Sequence, residues 1–212
     1  MHDNLATYSA HQFPALVRRR GWDVGLDLTV ALVWLFFAMV CLDRFLNQGN
    51  YLDAGRFLFN TLIVWAFLRR RPAHRKGGWW ENAIAWGGTV LPIAGFHSAS
   101  GGWTLVGLAI QWMALVVMIA ALVCLGRSFG IAPADRGLVT TKLYGYVRHP
   151  LYASELLFCV GYLIANFSWR NLLVFFGIVT VQVIRLLREE KIISNYSSYS
   201  NLVRWRLIPH IW

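Results

Sequence analysis

The sequence predicts an all-α integral membrane protein of about six transmembrane helices, with both termini cytoplasmic and a C-terminal interfacial helix. Three observations carry this. The 212 residues are 57% hydrophobic and 14% charged, where a soluble domain carries about 25% charged residues. Six apolar stretches recur along the chain. Finally, 17 of the 20 Lys and Arg fall where alternating spans put them on one surface, as the positive-inside rule expects of cytoplasmic loops.

Taken in order, the spans lie near Val24–Leu42, Ala54–Leu68, Trp80–Phe96, Trp103–Leu125, Leu151–Phe167 and Asn171–Leu187. The second is interrupted by Arg56 and Asn60, and the third by Gly87, Gly88 and Pro92, so these two are the least regular. The basic surface collects Arg18, Arg19 and Arg20, the loop after the second span, the loop after the fourth, and the chain from Arg185 onward. The opposite side keeps only Arg44, Arg56 and Arg170. The net charge of +10 is therefore a topology signal, and no nucleic-acid partner is expected. The first 20 residues lack a basic-apolar-small leader pattern, so no cleavage is expected. Residues 1–125 read as an N-terminal transmembrane bundle that shapes an acceptor tunnel. Residues 126–212 read as a cofactor-binding and catalytic region.

Cys41, Cys124 and Cys159 sit in apolar spans as buried small side chains, with no metal or disulfide spacing. Asp27, Asn60 and Gln111 are single polar residues, best used in hydrogen bonds between helices. No Rossmann glycine pattern, phosphate loop, HExxH or CxxC is present.

The chemistry concentrates at one membrane face. Forty residues separate His149 from Glu189, and a bilayer core of roughly 30 Å takes about 20 helical residues to cross. Two crossings return the chain to its starting surface, so the two side chains should meet. Pro150 suits a first helical turn and keeps His149 extended before it. His149 then stands at a helix N-terminus, where partial positive charge favours an anion; it also reads as a plain interfacial cap. Gln182, Arg185 and Glu189, spaced i, i+3, i+7, share one face, whereas Arg188 and Glu190 point elsewhere. They read either as end charges paired with each other or as a polar stripe lining a cavity. Glu155, one turn into the fifth span, either partners an arginine or sits at headgroup depth. Beyond Glu190, Tyr196, Tyr199 and the Arg204–Pro209 stretch fit a helix in the interface. Its two tyrosines read as belt aromatics or as a cover for the site.

The pattern Leu138-Val139-Thr140, Tyr144, Arg148-His149-Pro150-Leu151-Tyr152, a hydrophobic hairpin, Arg185, Glu189-Glu190, Tyr196 and Tyr199 before Arg-x-Arg-Leu-Ile-Pro resembles the isoprenylcysteine carboxyl methyltransferase family. Those are integral membrane enzymes that use S-adenosylmethionine. The resemblance covers residues 126–212; the first four spans match only in being hydrophobic. It implies that Leu138, Val139, Tyr144, His149, Pro150, Leu151, Tyr152 and Glu189 bind the cofactor, and that Arg185 and Glu189 are catalytic. It further implies that Arg185 holds the acceptor; Gln182 and Glu155, from the residue reading, are expected to bind the acceptor beside it. Lys142 departs from the family where a glycine is frequent, and Ser154 where a small residue, often glycine, follows the motif. The implied activity is methyl transfer to a lipophilic small-molecule or lipidated acceptor, foremost a carboxylate, amid membrane lipids. The expected setting is a bacterial inner membrane with the site facing the cytoplasm. Related alternatives are a phospholipid amine methyltransferase and an NADPH-dependent membrane reductase, for which no phosphate-binding cluster is present. Outside enzymes, a small transporter or scaffold would use the same hairpin to bind a ligand, though the polar groups cluster at one surface rather than at mid-membrane. The oligomeric state is not encoded in any motif.

Overall fold

A computed structural model of the chain describes residues 21–212; Arg18, Arg19, Arg20 and the expectation about a leader fall outside them. The protein is an all-α membrane protein. Its helices are α1 (Gly21–Gln48), α2 (Tyr51–Arg69), α3 (Trp79–Gly95), α4 (Thr104–Leu125), α5 (Pro150–Ala165), α6 (Trp169–Ile192) and α7 (Tyr196–Leu202). The first six fall on the six apolar stretches. By length and composition three are apolar and long enough to cross a bilayer, Asp23–Gln48, Thr104–Ser128 and Trp169–Ile192, while α5 is a shorter apolar helix. Leu32, Phe36, Leu105, Val116 and Leu173 are exposed on the outside of the bundle. A helix whose outward side is apolar is at home in lipid, not in water.

The antiparallel pair α1–α2 is closed by Gly49, whose φ of +65° provides the left-handed turn after α1. At the other end Asp27 accepts from Arg70, and Asp23 accepts from Lys76 at 2.5 Å, which ties the start of α1 to the basic loop. Within that loop β1 (Arg75–Lys76) pairs antiparallel with β2 (Ala134–Asp135).

Helices α4 and α5 approach most closely because Gly107 faces Gly161. A Cβ on Gly107 would stand 2.5 Å from the Gly161 carbonyl oxygen, and one on Gly161 would stand 2.8 Å from that of Gly107. Small residues of this kind let helix backbones touch in lipid, where no hydrophobic force pushes helices together. Helix α3 packs on α6, through Gly88 against Val181 and Arg185 and Gly95 against Val174. The α5–α6 turn is fixed by Ser168, whose hydroxyl accepts from the Asn171 amide at 3.1 Å. Buried Asn171 then donates to the carbonyls of His97 (2.9 Å) and Asn166 (2.6 Å), which pins the end of α3 to that turn.

The polar residues of the other spans bond between helices or along them: Asp27 to Arg70, Asn60 to the Cys41 sulfur at 3.6 Å, and Gln111 to Arg56 at 3.5 Å. The C-terminal interfacial helix is shorter than its aromatic pattern suggests, seven residues in α7. The reason is competition for backbone groups. The amides of Arg148 and His149 donate to the carbonyls of Trp205 (2.8 Å) and Arg206 (2.9 Å), so the tail runs extended beside the start of α5.

Candidate active site

The α5–α6 hairpin returns the chain to one end of the bundle. Pro150 occupies the first turn of α5 with His149 as the preceding cap residue, and the end of α6 comes up alongside. The Tyr152 hydroxyl, one turn into α5, donates to Glu189 Oε2 at 2.7 Å. His149 Nε2 lies 3.3 Å from Glu190 Oε1 and 2.9 Å from the Tyr196 hydroxyl.

Glu190 is the hub here, which corrects the expectation that it points away. Its carboxylate accepts from the Tyr196 hydroxyl (3.0 Å) and from Arg206 Nε (3.0 Å), and Arg148 Nη1 reaches it at 3.5 Å. The returning tail is the physical cause, since it carries Arg206 against the outer side of α6. Tyr196 has one proton; with that proton on Glu190, His149 Nε2 must itself carry hydrogen and donate. The pull of the Glu190 carboxylate holds the Arg206 guanidinium above its ordinary pKa. Burial first, and the Glu190 charge second, push the Tyr196 phenol far up. Burial also raises Tyr199, whose hydroxyl donates to the Tyr144 carbonyl at 2.6 Å.

The inward face of α6 forms a second chain of contacts. Gln182 donates to Glu155 Oε2 at 2.5 Å and accepts from Arg185 Nη1 at 2.8 Å. Arg185 Nη2 donates to the Ile131 carbonyl at 3.0 Å, and the guanidinium lies 5.1 Å from the centre of the Tyr152 ring. Arg185 is buried, and its Nε has no hydrogen-bond partner among the described residues. Among the described residues no carboxylate is in ion-pair contact with it. Glu155 is bridged to it through Gln182 and acts on it electrostatically from beyond contact distance. Room for the side chain comes from Gly88 on α3, where a Cβ would sit 3.2 Å from Arg185 Cδ.

These groups share one cavity of about 600 Å³, inside the range of roughly 300–1,000 Å³ for small-molecule sites. Its walls hold Leu138, Val139, Tyr144, His149, Leu151, Tyr152, Glu155, Gln182, Arg185 and Glu189, together with Tyr196 and Tyr199. Pro150 is buried but not part of the wall; its place in the set is as the helix start that aims His149. Direct binding of an anion through His149 Nε2 would compete with Glu190 and Tyr196, which already occupy that nitrogen. Burial, then the Glu189 charge, push the Tyr144 phenol well above its ordinary value, so it is a neutral hydroxyl. Among the described residues no group of His, Cys, Asp and Glu could hold a metal ion.

Sequence reasoning did not single out as site residues three arginines at this end of the cavity. Arg136 lines the cavity and is buried, with Gly130 leaving space for its guanidinium, since a Cβ there would be 2.6 Å from Nη1. Arg148 and Arg206 looked like ordinary interfacial cations. The Arg-x-Arg spacing of the tail was the available signal, but the fold-back that uses it is a tertiary event.

Among curated proteins no sequence matches the chain. Residues 96–198 match the family described as phospholipid methyltransferase. That family is related to the carboxyl methyltransferases that the motif resembles, and both are membrane methyltransferases. The matched segment contains α4, α5, α6 and nearly every polar wall residue described above, and the activity it indicates is that of a membrane methyltransferase.

Proposed function

We propose that the chain moves a methyl group from S-adenosylmethionine to the carboxylate of a lipophilic acceptor, at the cytoplasmic face of a bacterial inner membrane. The observation that carries the acceptor chemistry is Arg185, a buried guanidinium with a spare Nε–H and no carboxylate in contact among the described residues. A buried cation with no carboxylate in direct contact is costly, and an acceptor carboxylate would supply that contact while being aligned by the guanidinium fork.

The wall also suits such a donor. Glu189 offers a carboxylate with one oxygen fixed by Tyr152, suited to amino or hydroxyl groups. Leu138, Val139 and the rings of Tyr144 and Tyr152 offer apolar faces. When bound, the donor supplies an electrophilic methyl on a sulfonium. A carboxylate nucleophile needs no general base, so the protein's task is alignment. Arg185 orients the acceptor, Gln182 fixes Arg185, and the Tyr152–Glu189 pair positions the donor beside them. Attack joins charges of opposite sign into neutral products, which a site shielded from water favours.

The family match favours a second reading, an amine lipid acceptor. That reaction needs a base, and Glu189 is the wall carboxylate nearest the Tyr152 hydroxyl. Calorimetric binding separates methyl donor use from the alternatives. Purified protein should bind S-adenosylmethionine, and Glu189→Ala should weaken it at least tenfold, about 1.4 kcal/mol. Wild-type protein that is folded yet binds only a nicotinamide cofactor, or neither, would overturn the proposal.

A further inference from the structure

The cavity has a second polar end. Arg44, Arg56, Asn60 and Cys41 line it, and both arginines act electrostatically on Cys41. Asp27, on the same helix as Arg44, is bonded to Arg70 at the basic surface. The 17 residues between Asp27 and Arg44 amount to about 25 Å of helix. Arg56 likewise stands about 20 Å of helix from Arg69. Both guanidiniums therefore lie in the part of the bundle remote from His149. Only three of the 20 Lys and Arg fall away from the basic surface, and two of those three face this cavity.

The charges there do not cancel. Arg56 donates to buried Asp53 at 2.9 Å and to Gln111 at 3.5 Å, and it stacks 5.2 Å from the Phe158 ring. Arg44 makes no ion pair among the described residues. Its neighbour Asp43 accepts from Asn47 at 2.6 Å and is not part of the wall. Among the described residues Asp53, itself behind the cavity wall, is thus the one carboxylate paired there against two guanidiniums that line it. Between this end and Arg185 the walls are apolar, with Phe37, Phe59, Pro92 and Phe96 among them. Helices α1 and α3 flank that stretch without the extensive packing that joins α1 to α2 or α3 to α6.

We propose that the remote end is an anion subsite for the negatively charged headgroup of a lipid from the leaflet opposite the His149 surface, with its chain lying in the cavity between α1 and α3. The net positive charge selects the headgroup, and the apolar wall selects what is attached to it. A free hydrated phosphate would gain nothing from Phe37, Phe59 and Phe96, whereas an acyl chain packs against them by van der Waals contact, the force that acts between apolar groups in lipid. This site does not depend on methyl transfer, and its test uses no methyl donor.

Native mass spectrometry of the full chain in mild detergent reads lipid retention directly. Phosphatidylglycerol, phosphatidylcholine and inorganic phosphate are offered separately, and phosphate is then added to the phosphatidylglycerol complex. Phosphatidylglycerol should be retained about tenfold better than phosphatidylcholine, the effect of one charge-assisted contact worth about 1.4 kcal/mol. Arg44→Gln, which leaves no carboxylate orphaned, should remove that preference, and Arg44→Lys should restore most of it. Equal retention of the two lipids would overturn the proposal, as would a preference unchanged in Arg44→Gln. Displacement of phosphatidylglycerol by phosphate would show a free-anion site and overturn the lipid occupant.

Discussion

Arg185 is held on three sides, by Gln182, the Ile131 carbonyl and the Tyr152 ring, yet it keeps one donor free. Lysine would preserve its charge but not the planar fork. Arg185→Lys should therefore lower kcat/KM about 100-fold, the ~3 kcal/mol scale of a truncated buried charge contact, while leaving the unfolding temperature within a few degrees. Steady-state kinetics beside thermal unfolding checks this. Glu190 differs, because its partners are structural. Removing it takes their shared acceptor from Arg148, His149, Tyr196 and Arg206 in a partly buried cluster, and losing such charge-assisted hydrogen bonds costs about 1.5–3 kcal/mol. Glu190→Ala should show that loss in a thermal melt, whereas Glu189→Ala should lose donor binding with a smaller change in stability. The raised tyrosines add a pH dependence. Folded Tyr144, Tyr196 and Tyr199 keep their protons where the unfolded chain, with phenols near 10, releases them. The folded state then binds more protons, so stability falls as pH rises above about 10 and is unaffected below it. A series of melts from neutral to strongly alkaline pH checks the direction.

The helices carry these side chains through a few close contacts. At Gly107 an added methyl would strike the Gly161 backbone at 2.5 Å, and neither helix can yield there without losing its partner. Gly107→Ala should cost about 1–3 kcal/mol, as overpacking does, and should show as a lower unfolding temperature. How far such elements were legible in the sequence depends on whether local length or tertiary return decides them. That α5 and α6 bring Tyr152 and His149 to Glu189 and Glu190 follows from two successive apolar helices joined by a tight turn, which the apolar runs display. The shared face of Gln182, Arg185 and Glu189 follows from helical period alone. Glu190 was misjudged, because one residue of offset turns it away from that face. The start of α5, Tyr196 of α7 and the fold-back of residues 205–206 onto 148–149 put partners on its side. The docking of α3 on α6 was likewise hidden, since Gly88 reads as an interruption of a span when in fact it is a contact point, as is Gly95. The early end of α7 escaped notice because backbone bonding elsewhere decides it.

In the whole molecule, polar ends at opposite depths are joined by one apolar cavity, with the basic loops gathered on the His149 side. The proposed orientation puts the methyl donor site on the side of the basic loops, which the positive-inside rule expects in the cytoplasm. Single cysteines replacing Arg75 and Asn47, in a background lacking Cys41, Cys124 and Cys159, should label from opposite sides with an impermeant maleimide. Labelling from the same side would refute the orientation. The claim on which the rest depends is methyl transfer to a carboxylate held by Arg185, and the chemistry of the product decides it. Membranes containing the protein would be incubated with S-adenosylmethionine labelled in its methyl group, and the lipid extract treated with mild alkali. The carboxylate reading predicts labelled lipid whose label leaves as methanol, and which fails to form with Arg185→Lys. Label that survives alkali in an amine lipid would contradict it and assign the cavity to phospholipid amines instead.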